Sequence, residues 1–265
     1  MKYPALSVEN VSLSFGGLSV LSGLSLTLET GELAGVIGPN GAGKTSLFNI
    51  LTGVYRPDSG ELRALGRSLA RLKPFEIAAW GVVRTFQNIR LFKEMSVLDN
   101  VLVAMHSSQA PSLVMAFAAR PSALHAERAM RKQAQHLLER LDLGPRAQER
   151  AGGLPYGEQK RLEIARALAA KPKVLLLDEP AAGMNPSESA WLKKAIRSLR
   201  DEYNLSILLI EHDMSVVMDL CERLIVLDHG QKIAEGTPED VRRDPRVLEA
   251  YLGTKKGART REMSR

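Results

Sequence analysis

The sequence predicts an α/β fold: a parallel sheet preceded by antiparallel strands and divided by a helix-rich insert. Three observations predict it. The first thirty residues alternate apolar and polar positions (Leu6, Val8, Val11, Leu13, Phe15, then Leu24, Leu26, Leu28), the pattern of strands with one buried face. Four later segments are short, continuous apolar runs separated by helical stretches, as expected of strands covered on both faces. Between them, from about Ser96 to Lys171, the composition shifts to amphipathic helix.

In chain order, Leu33 to Ile37 is the first continuous run, followed by strands at Val82 to Phe86, Val174 to Leu177, Ser206 to Ile210 and Arg223 to Leu227. Ser96-Val97-Leu98-Asp99 has capping-box spacing and starts a helix. Ala123 to Leu141 sets Leu124, Ala134, Leu137, Leu138 and Leu141 among charged and histidine positions, which predicts a second helix. His125 and His136 on it read as solvated residues, because no metal-ligand spacing accompanies them. No repeat and no low-complexity tract interrupts the chain.

With 265 residues, 45% of them hydrophobic and 25% charged, the chain is long enough for one large domain with a sizeable core. No apolar run approaches the roughly 18–20 residues of a membrane helix; the longest, Leu113 to Ala119, lies between Pro111 and Pro121. The start, Met1-Lys2-Tyr3-Pro4, lacks a signal-peptide stretch, and the single Cys221 excludes an internal disulfide, so a reducing, cytoplasmic setting is expected. Cys221 sits in an apolar helical segment and reads as a small buried hydrophobe. The net charge of +6 is concentrated: Lys255, Lys256, Arg259, Arg261 and Arg265 stand against Glu262 in a tail from Gly253 to Arg265. That tail is expected to be solvated and disordered. The remaining body is nearly neutral, which argues against a nucleic-acid partner.

Gly38-Pro39-Asn40-Gly41-Ala42-Gly43-Lys44-Thr45 fits the P-loop pattern in full, directly after a strand and before a helix. Glycines let successive N–H groups curl around a β-phosphate, and the helix opening near Gly43 adds its positive dipole end. Lys44 is expected at the β/γ-phosphates and Thr45 on Mg²⁺, and Ser46 extends the nucleotide-binding set. The run Lys173-Val174-Leu175-Leu176-Leu177-Asp178-Glu179 ends in two carboxylates at the C-terminal edge of the sheet, where such folds bind ligands. Asp178 is expected to hold magnesium through water, and Glu179 to orient or deprotonate an attacking water.

Further motifs in order make the sequence resemble an ABC-transporter ATP-binding subunit over about residues 4–252, with a helical subdomain at about 88–170 inserted in a P-loop ATPase core that also carries an antiparallel β subdomain. Gln87 matches the glutamine that the family uses to sense magnesium and the permease. Leu154-Pro155-Tyr156-Gly157-Glu158-Gln159, before a helix from Lys160 to Ala169, looks like the signature motif that meets the ATP of the opposite subunit. Ala182-Gly183-Met184-Asn185 occupies the loop that touches that subunit, and His212 matches the histidine at the γ-phosphate. Phe15 lies where the family places an aromatic against adenine. Taken singly, each also admits a plain reading: Gln87 and His212 as polar loop residues, Phe15 as core, and Asn185 as a helix cap.

The resemblance implies ATP and Mg²⁺ as cofactors, with Gln87, Glu179 and His212 catalytic and Thr45, Gln87 and Asp178 around the metal. Leu154, Tyr156, Gly157, Glu158 and Gln159 would serve in trans. Pro155 replaces the family's usual serine, Tyr156 its first glycine, and Asn185 its usual aspartate. Those departures, with Arg84 to Phe92, Asp178 to Pro186, an extended insert from Ser107 to Ser122 and the ending Glu235 to Leu252, are similar to the larger ATP-binding subunit of bacterial branched-chain amino acid importers. Implied partners are a second ATP-binding subunit, two membrane permease subunits and, indirectly, a periplasmic binding protein, at the cytoplasmic face of the inner membrane. Urea or amide importers and lipopolysaccharide export are the alternatives within that branch. A non-transport ABC ATPase fits less well, since the chain has one cassette, no sustained heptads and one cysteine. A small-molecule P-loop kinase leaves the signature and His212 unexplained.

Overall fold

The computed structural model describes residues 3–109 and 121–251. Most of the insert from Ser107 to Ser122, the apolar run Leu113 to Ala119 and the basic tail lie outside the described residues.

Two sheets form the molecule. β1 (Leu6–Phe15) and β2 (Leu18–Leu28) pair antiparallel and join β4 (Ser59–Ala64) and β5 (Arg67–Ser68) in the order β2-β1-β4-β5. The second sheet has the order β10-β9-β3-β8-β7-β6. In it β3 (Leu33–Ile37), β6 (Val82–Arg84), β7 (Val174–Asp178), β8 (Ser206–Ile210) and β9 (Arg223–Asp228) run parallel, and β10 (Gln231–Gly236) closes the edge antiparallel.

The continuous apolar runs acquire a physical meaning here. In β3, β7, β8 and β9, alternate residues feed two separate cores. Leu33, Ile37, Leu175, Leu177, Ile207, Leu209, Leu224 and Val226 face one cluster. Ala34, Val36, Val174, Leu176, Leu208, Ile210, Ile225 and Leu227 face the other. The first cluster takes in α3 (Val97–Gln109), α4 (Pro121–Arg140), α5 (Tyr156–Ala169), α6 (Pro186–Tyr203) and α7 (Met214–Leu220). The second lies against α1 (Lys44–Leu51), α2 (Pro74–Trp80) and the antiparallel sheet. A strand with both faces buried has no polar positions left, so its period-two signal vanishes.

Local chemistry sets the ends of the elements. Ser96 Oγ accepts the Asp99 N–H at 3.0 Å, starting α3. Cys221 ends α7 and is buried, and burial pushes its thiol pKa up to about 12. It packs where Gly35 leaves no room, since a Cβ at Gly35 would lie 2.9 Å from the Cys221 sulfur. α8 (Pro238–Arg243) follows β10 with Thr237 as its cap, and residues 245–251 are helical again. His125 and His136 on α4 are both exposed.

Two boundaries differ from expectation. β6 ends at Arg84 rather than Phe86, because the Phe86 N–H leaves the sheet and donates to the Glu163 side chain. α5 begins at Tyr156 rather than Lys160, so the end of the expected signature lies inside its first turn.

Candidate active site

The C-terminal ends of β3, β6, β7 and β8 are neighbours at one edge of the parallel sheet, and each delivers a polar residue there. β3 runs into the glycine-rich loop. Two of its glycines are required by close approach. A Cβ on Gly38 would sit 2.1 Å from the Leu227 carbonyl oxygen. One on Gly43, at φ +99°, would sit 2.7 Å from Leu21 and 2.9 Å from the Val20 carbonyl. Gly43 then caps α1, which opens at Lys44. Pro39, Asn40, Gly41 and Ala42 form the bend, closed by the Ala42 N–H to the Pro39 carbonyl at 3.2 Å. Thr45 is exposed and Ser46 half-buried on the first turn of α1.

Lys44 is folded back onto this loop, and its Nζ donates to the carbonyls of Gly38 at 2.7 Å and Pro39 at 2.9 Å. Burial holds its pKa below the ordinary lysine value, with the Glu179 and Asp178 carboxylates pulling the other way.

Asp178 ends β7, and its backbone N–H donates to Thr85 Oγ1 at 3.2 Å. Its carboxylate is already paired, with Arg84 Nη2 at 2.5 Å from Oδ2. Both side chains are nearly fully buried, and Arg84 also donates to Asn49 Oδ1 at 2.7 Å. The next residue, Glu179, adopts φ +47°, a left-handed conformation that turns its carboxylate off the strand line. Gln87 Nε2 donates to Glu179 Oε2 at 3.0 Å, and His212 Nδ1 lies 3.7 Å from the same oxygen. Gln87, Glu179 and His212, which are far apart in sequence, therefore meet at one carboxylate.

Removing one member of a buried ion pair strands the other charge, at a cost of about 3–5 kcal/mol. Arg84→Met is therefore expected to lower the thermal midpoint by roughly 10 °C, and the Arg84→Met/Asp178→Leu double variant to lower it less. Thermal unfolding of the full chain measures both. Equal midpoints for Arg84→Met and the unaltered protein would mean that the pair contributes nothing.

The other expected residues are spread around this centre. Phe15 is not core. It is 46% exposed and meets Tyr55 edge-on, with ring centroids 5.0 Å apart at 70°. Leu154 is buried, whereas Pro155 and Tyr156 are exposed at the start of α5. Gly157 is buried beneath Glu188, whose carboxylate would lie 2.5 Å from an added Cβ. Glu158 pairs with Arg146 at 2.8 Å, and Gln159 Nε2 donates to the Leu154 carbonyl at 2.8 Å. Asn185 caps α6, accepting the Glu188 N–H at 2.9 Å. The loop before it leans on the start of α5, since Gly183 lies under the Tyr156 ring.

Four further residues at the site escaped the sequence reading: Arg84, Tyr55, Glu163 and Glu211. Glu211 is 1% exposed and accepts the N–H groups of Ala181 at 2.8 Å and His212 at 3.3 Å, joining the loop after β7 to the one after β8. Burial pushes its carboxyl pKa up. The signal was present in Ser206 to Glu211, a charge at the end of an apolar run like Asp178 at the end of β7.

The residues fit a magnesium nucleotide on their own geometry. A loop of backbone N–H groups that side chains would fill, a lysine at its base and a buried aspartate beside it make up such a donor set.

The comparisons with known proteins agree. The family model for ABC transporters matches residues 21–182, and a model described as branched-chain amino acid ATP-binding cassette transporter matches residues 231–256. The chain is 46% identical over 253 residues to the high-affinity branched-chain amino acid transport ATP-binding protein BraF of Pseudomonas aeruginosa, covering 96% of this chain and 99% of that protein. The corresponding LivG of Escherichia coli is 45% identical with the same coverage. The lipopolysaccharide export system ATP-binding protein LptB of Haemophilus influenzae is 34% identical, covering 94% and 97%. Among solved structures, a nucleotide-free ATP-binding cassette from an ABC transporter superposes with a TM-score of 0.82 at 33% identity, covering 94% of this chain and 99% of that one. A cassette in its ADP conformation gives 0.82 at 32%, covering 95% and 99%. The chain belongs to the ABC transporter family, as one of its ATP-binding, ATP-hydrolysing subunits.

Proposed function

We propose that this chain binds MgATP between its P-loop and the signature segment of a second ATP-binding subunit, and that the pair energises import of branched-chain amino acids through membrane permeases. The convergence of Gln87, Glu179 and His212 on one carboxylate oxygen beside the P-loop supports the ATPase reading. Identity of 45–46% across nearly the whole chain with transport proteins named for that cargo supports the substrate. LptB, at 34%, is more distant. No helix among the described residues is long and apolar enough to cross a membrane. The likeness to ATP-binding proteins of membrane transporters supports a peripheral subunit on partner permeases at the cytoplasmic face. A periplasmic binding protein would act on the far side, out of this chain's reach.

ATP would bring the phosphoryl group, whose charge a bound magnesium ion would neutralise. The chain's residues do the rest. Lys44 leaves the two loop carbonyls for the phosphates, and the loop N–H groups orient them. Thr45, Gln87 and Asp178 would hold the metal, Asp178 through water, and Arg84 fixes the orientation of Asp178. Glu179 accepts the proton of the attacking water, and Gln87 holds Glu179 in place through its amide. His212 stands ready at the γ-phosphate side. Phe15 and Tyr55 form an aromatic face for the base. Pro155 has no hydroxyl to offer the opposite nucleotide, so the site built with this chain's signature is the weaker of the two.

The test is co-purification from membranes of the chain with its permeases, followed by reconstitution. ATPase activity stimulated by a binding protein loaded with leucine, isoleucine or valine is the expected result. Stimulation by urea, an amide or a lipopolysaccharide component instead would overturn the substrate assignment.

A further inference from the structure

The glycine-rich loop is tied to its surroundings on more than one side. The Ala42 carbonyl accepts the Gly230 N–H from the turn between β9 and β10 at 3.1 Å, and the Gly38 carbonyl accepts Lys44 Nζ at 2.7 Å. A further neighbour comes from the last described helix, residues 245–251. Arg246, Glu249 and Ala250 form one wall of a cleft whose opposite wall is the loop from Pro39 to Ala42. Tyr251 closes the helix, and its ring packs against the larger core cluster near Met214 and Met218 of α7. Its hydroxyl oxygen is buried and completes no hydrogen bond among the described residues. The Gly38 N–H is aimed at that oxygen without reaching full bonding geometry, and it opposes the rise that burial gives the tyrosine pKa. A buried tyrosine hydroxyl ordinarily has a partner, and leaving it without one costs stability. A phenylalanine ring would fill the same apolar space, so packing does not account for the hydroxyl.

Gly38 has no side chain to anchor it, and none would fit, since an added Cβ would stand 2.1 Å from the Leu227 carbonyl oxygen. Side chains can hold this residue only through its carbonyl, as Lys44 does, or through its N–H. Lys44 gives up the Gly38 carbonyl when it turns to the phosphates, which leaves the N–H side. We infer that Tyr251 is a positioning residue for the nucleotide loop: its hydroxyl accepts the Gly38 N–H in a full hydrogen bond when the loop closes on phosphate, so the C-terminal helix adds to ATP affinity without touching ATP. The hydroxyl is unbonded in the loop conformation described above and bonded in the closed one. Only such a difference between two conformations lets a residue remote from the ligand change its affinity. This inference rests on the reading of residues 38–45 as the ATP-binding loop.

The test uses the full-length chain and Tyr251→Phe, which keeps the ring. Without nucleotide the thermal midpoint is expected to stay level or rise, because the substitution removes a hydroxyl that has no partner. In a titration with MgATP, Kd is expected to rise about 3- to 10-fold, the range for one lost neutral hydrogen bond. The gain in midpoint on adding MgATP should shrink to match. In amide exchange followed by NMR, MgATP is expected to slow exchange at Gly38 in the unaltered chain and much less in Tyr251→Phe, while Val36 and Ile37 stay protected in both. A lower midpoint without nucleotide together with an unchanged Kd would make Tyr251 a packing residue and overturn the inference. Equal protection of Gly38 in the two chains would do the same. Lys44→Ala separates this inference from the reading beneath it. If folded Lys44→Ala binds MgATP as tightly as the unaltered chain, the loop assignment fails and the role of Tyr251 with it; if Lys44→Ala loses binding and Tyr251→Phe does not, only the role of Tyr251 fails.

Discussion

Replacing Glu179 by glutamine is expected to leave ATP binding intact and to slow hydrolysis by roughly 10²–10⁴-fold, the range for a lost general base. The substitution is nearly isosteric, and the carboxamide oxygen can still accept the Gln87 Nε2 hydrogen that now reaches Glu179 Oε2 at 3.0 Å. The left-handed backbone at Glu179, φ +47°, is equally accessible to glutamine, so the loop keeps its shape. What disappears is a group able to take a proton from water. ATP that is not consumed keeps two subunits together, so the closed pair should accumulate. Because Pro155 lacks a hydroxyl, the pair formed with a second, serine-bearing subunit should be tighter than the homodimer. Size-exclusion chromatography with MgATP, alone and with the partner subunit carrying the equivalent change, reads this directly. If ATP binds but shifts neither sample, the sandwich mechanism is wrong for this protein.

The parts of this architecture that were legible in the sequence are those in which one residue type answers one local demand. The apolar runs of β3, β7, β8 and β9 announced strands with two cores to fill, and the loop glycines announced a backbone that admits no side chain at Gly38 or Gly43. Motif order also named Lys44, Gln87, Asp178, Glu179 and His212, which the structure places around one sheet edge. Features that depend on a partner distant in sequence were not legible. Lys160, Glu163 and Arg166 look like the charged face of an exposed helix until the loop at Phe86 to Arg90 is laid against them. Arg84 looks like a strand-end charge, yet it is buried against Asp178, ninety-four positions away. The same limit explains the two shifted boundaries. The sheet loses Phe86 to the Glu163 side chain of α5, and α5 starts four residues early, directly after Pro155, which stands at its N-cap without a side-chain cap. Phe15 was expected against an adenine ring, with core as its plain alternative; it is exposed and meets Tyr55 edge-on, which excludes the alternative.

Substitution of Lys44 by alanine is expected to abolish hydrolysis and to weaken ATP binding by at least 10- to 100-fold while the chain stays folded. A hydrogen bond to a charged group is worth about 1.5–3 kcal/mol, and a triphosphate offers lysine more than one oxygen. The fold, by contrast, gains little from this side chain. The ammonium serves two loop carbonyls, at 2.7 and 2.9 Å, and burial lowers its pKa because the charged form is poorly solvated there. Alanine removes that desolvation cost along with the two bonds, and α1 keeps an excellent helix former at its first position. Retention of the thermal midpoint, loss of phosphate release and a large rise in Kd in a nucleotide titration are therefore expected together. Lys44→Arg should restore little, because a planar fork replaces a point charge that fits beneath Gly38 and Pro39. Hydrolysis near the unaltered rate in folded Lys44→Ala would remove the P-loop from the mechanism, and with it the reason for reading the whole sheet edge as an ATP site.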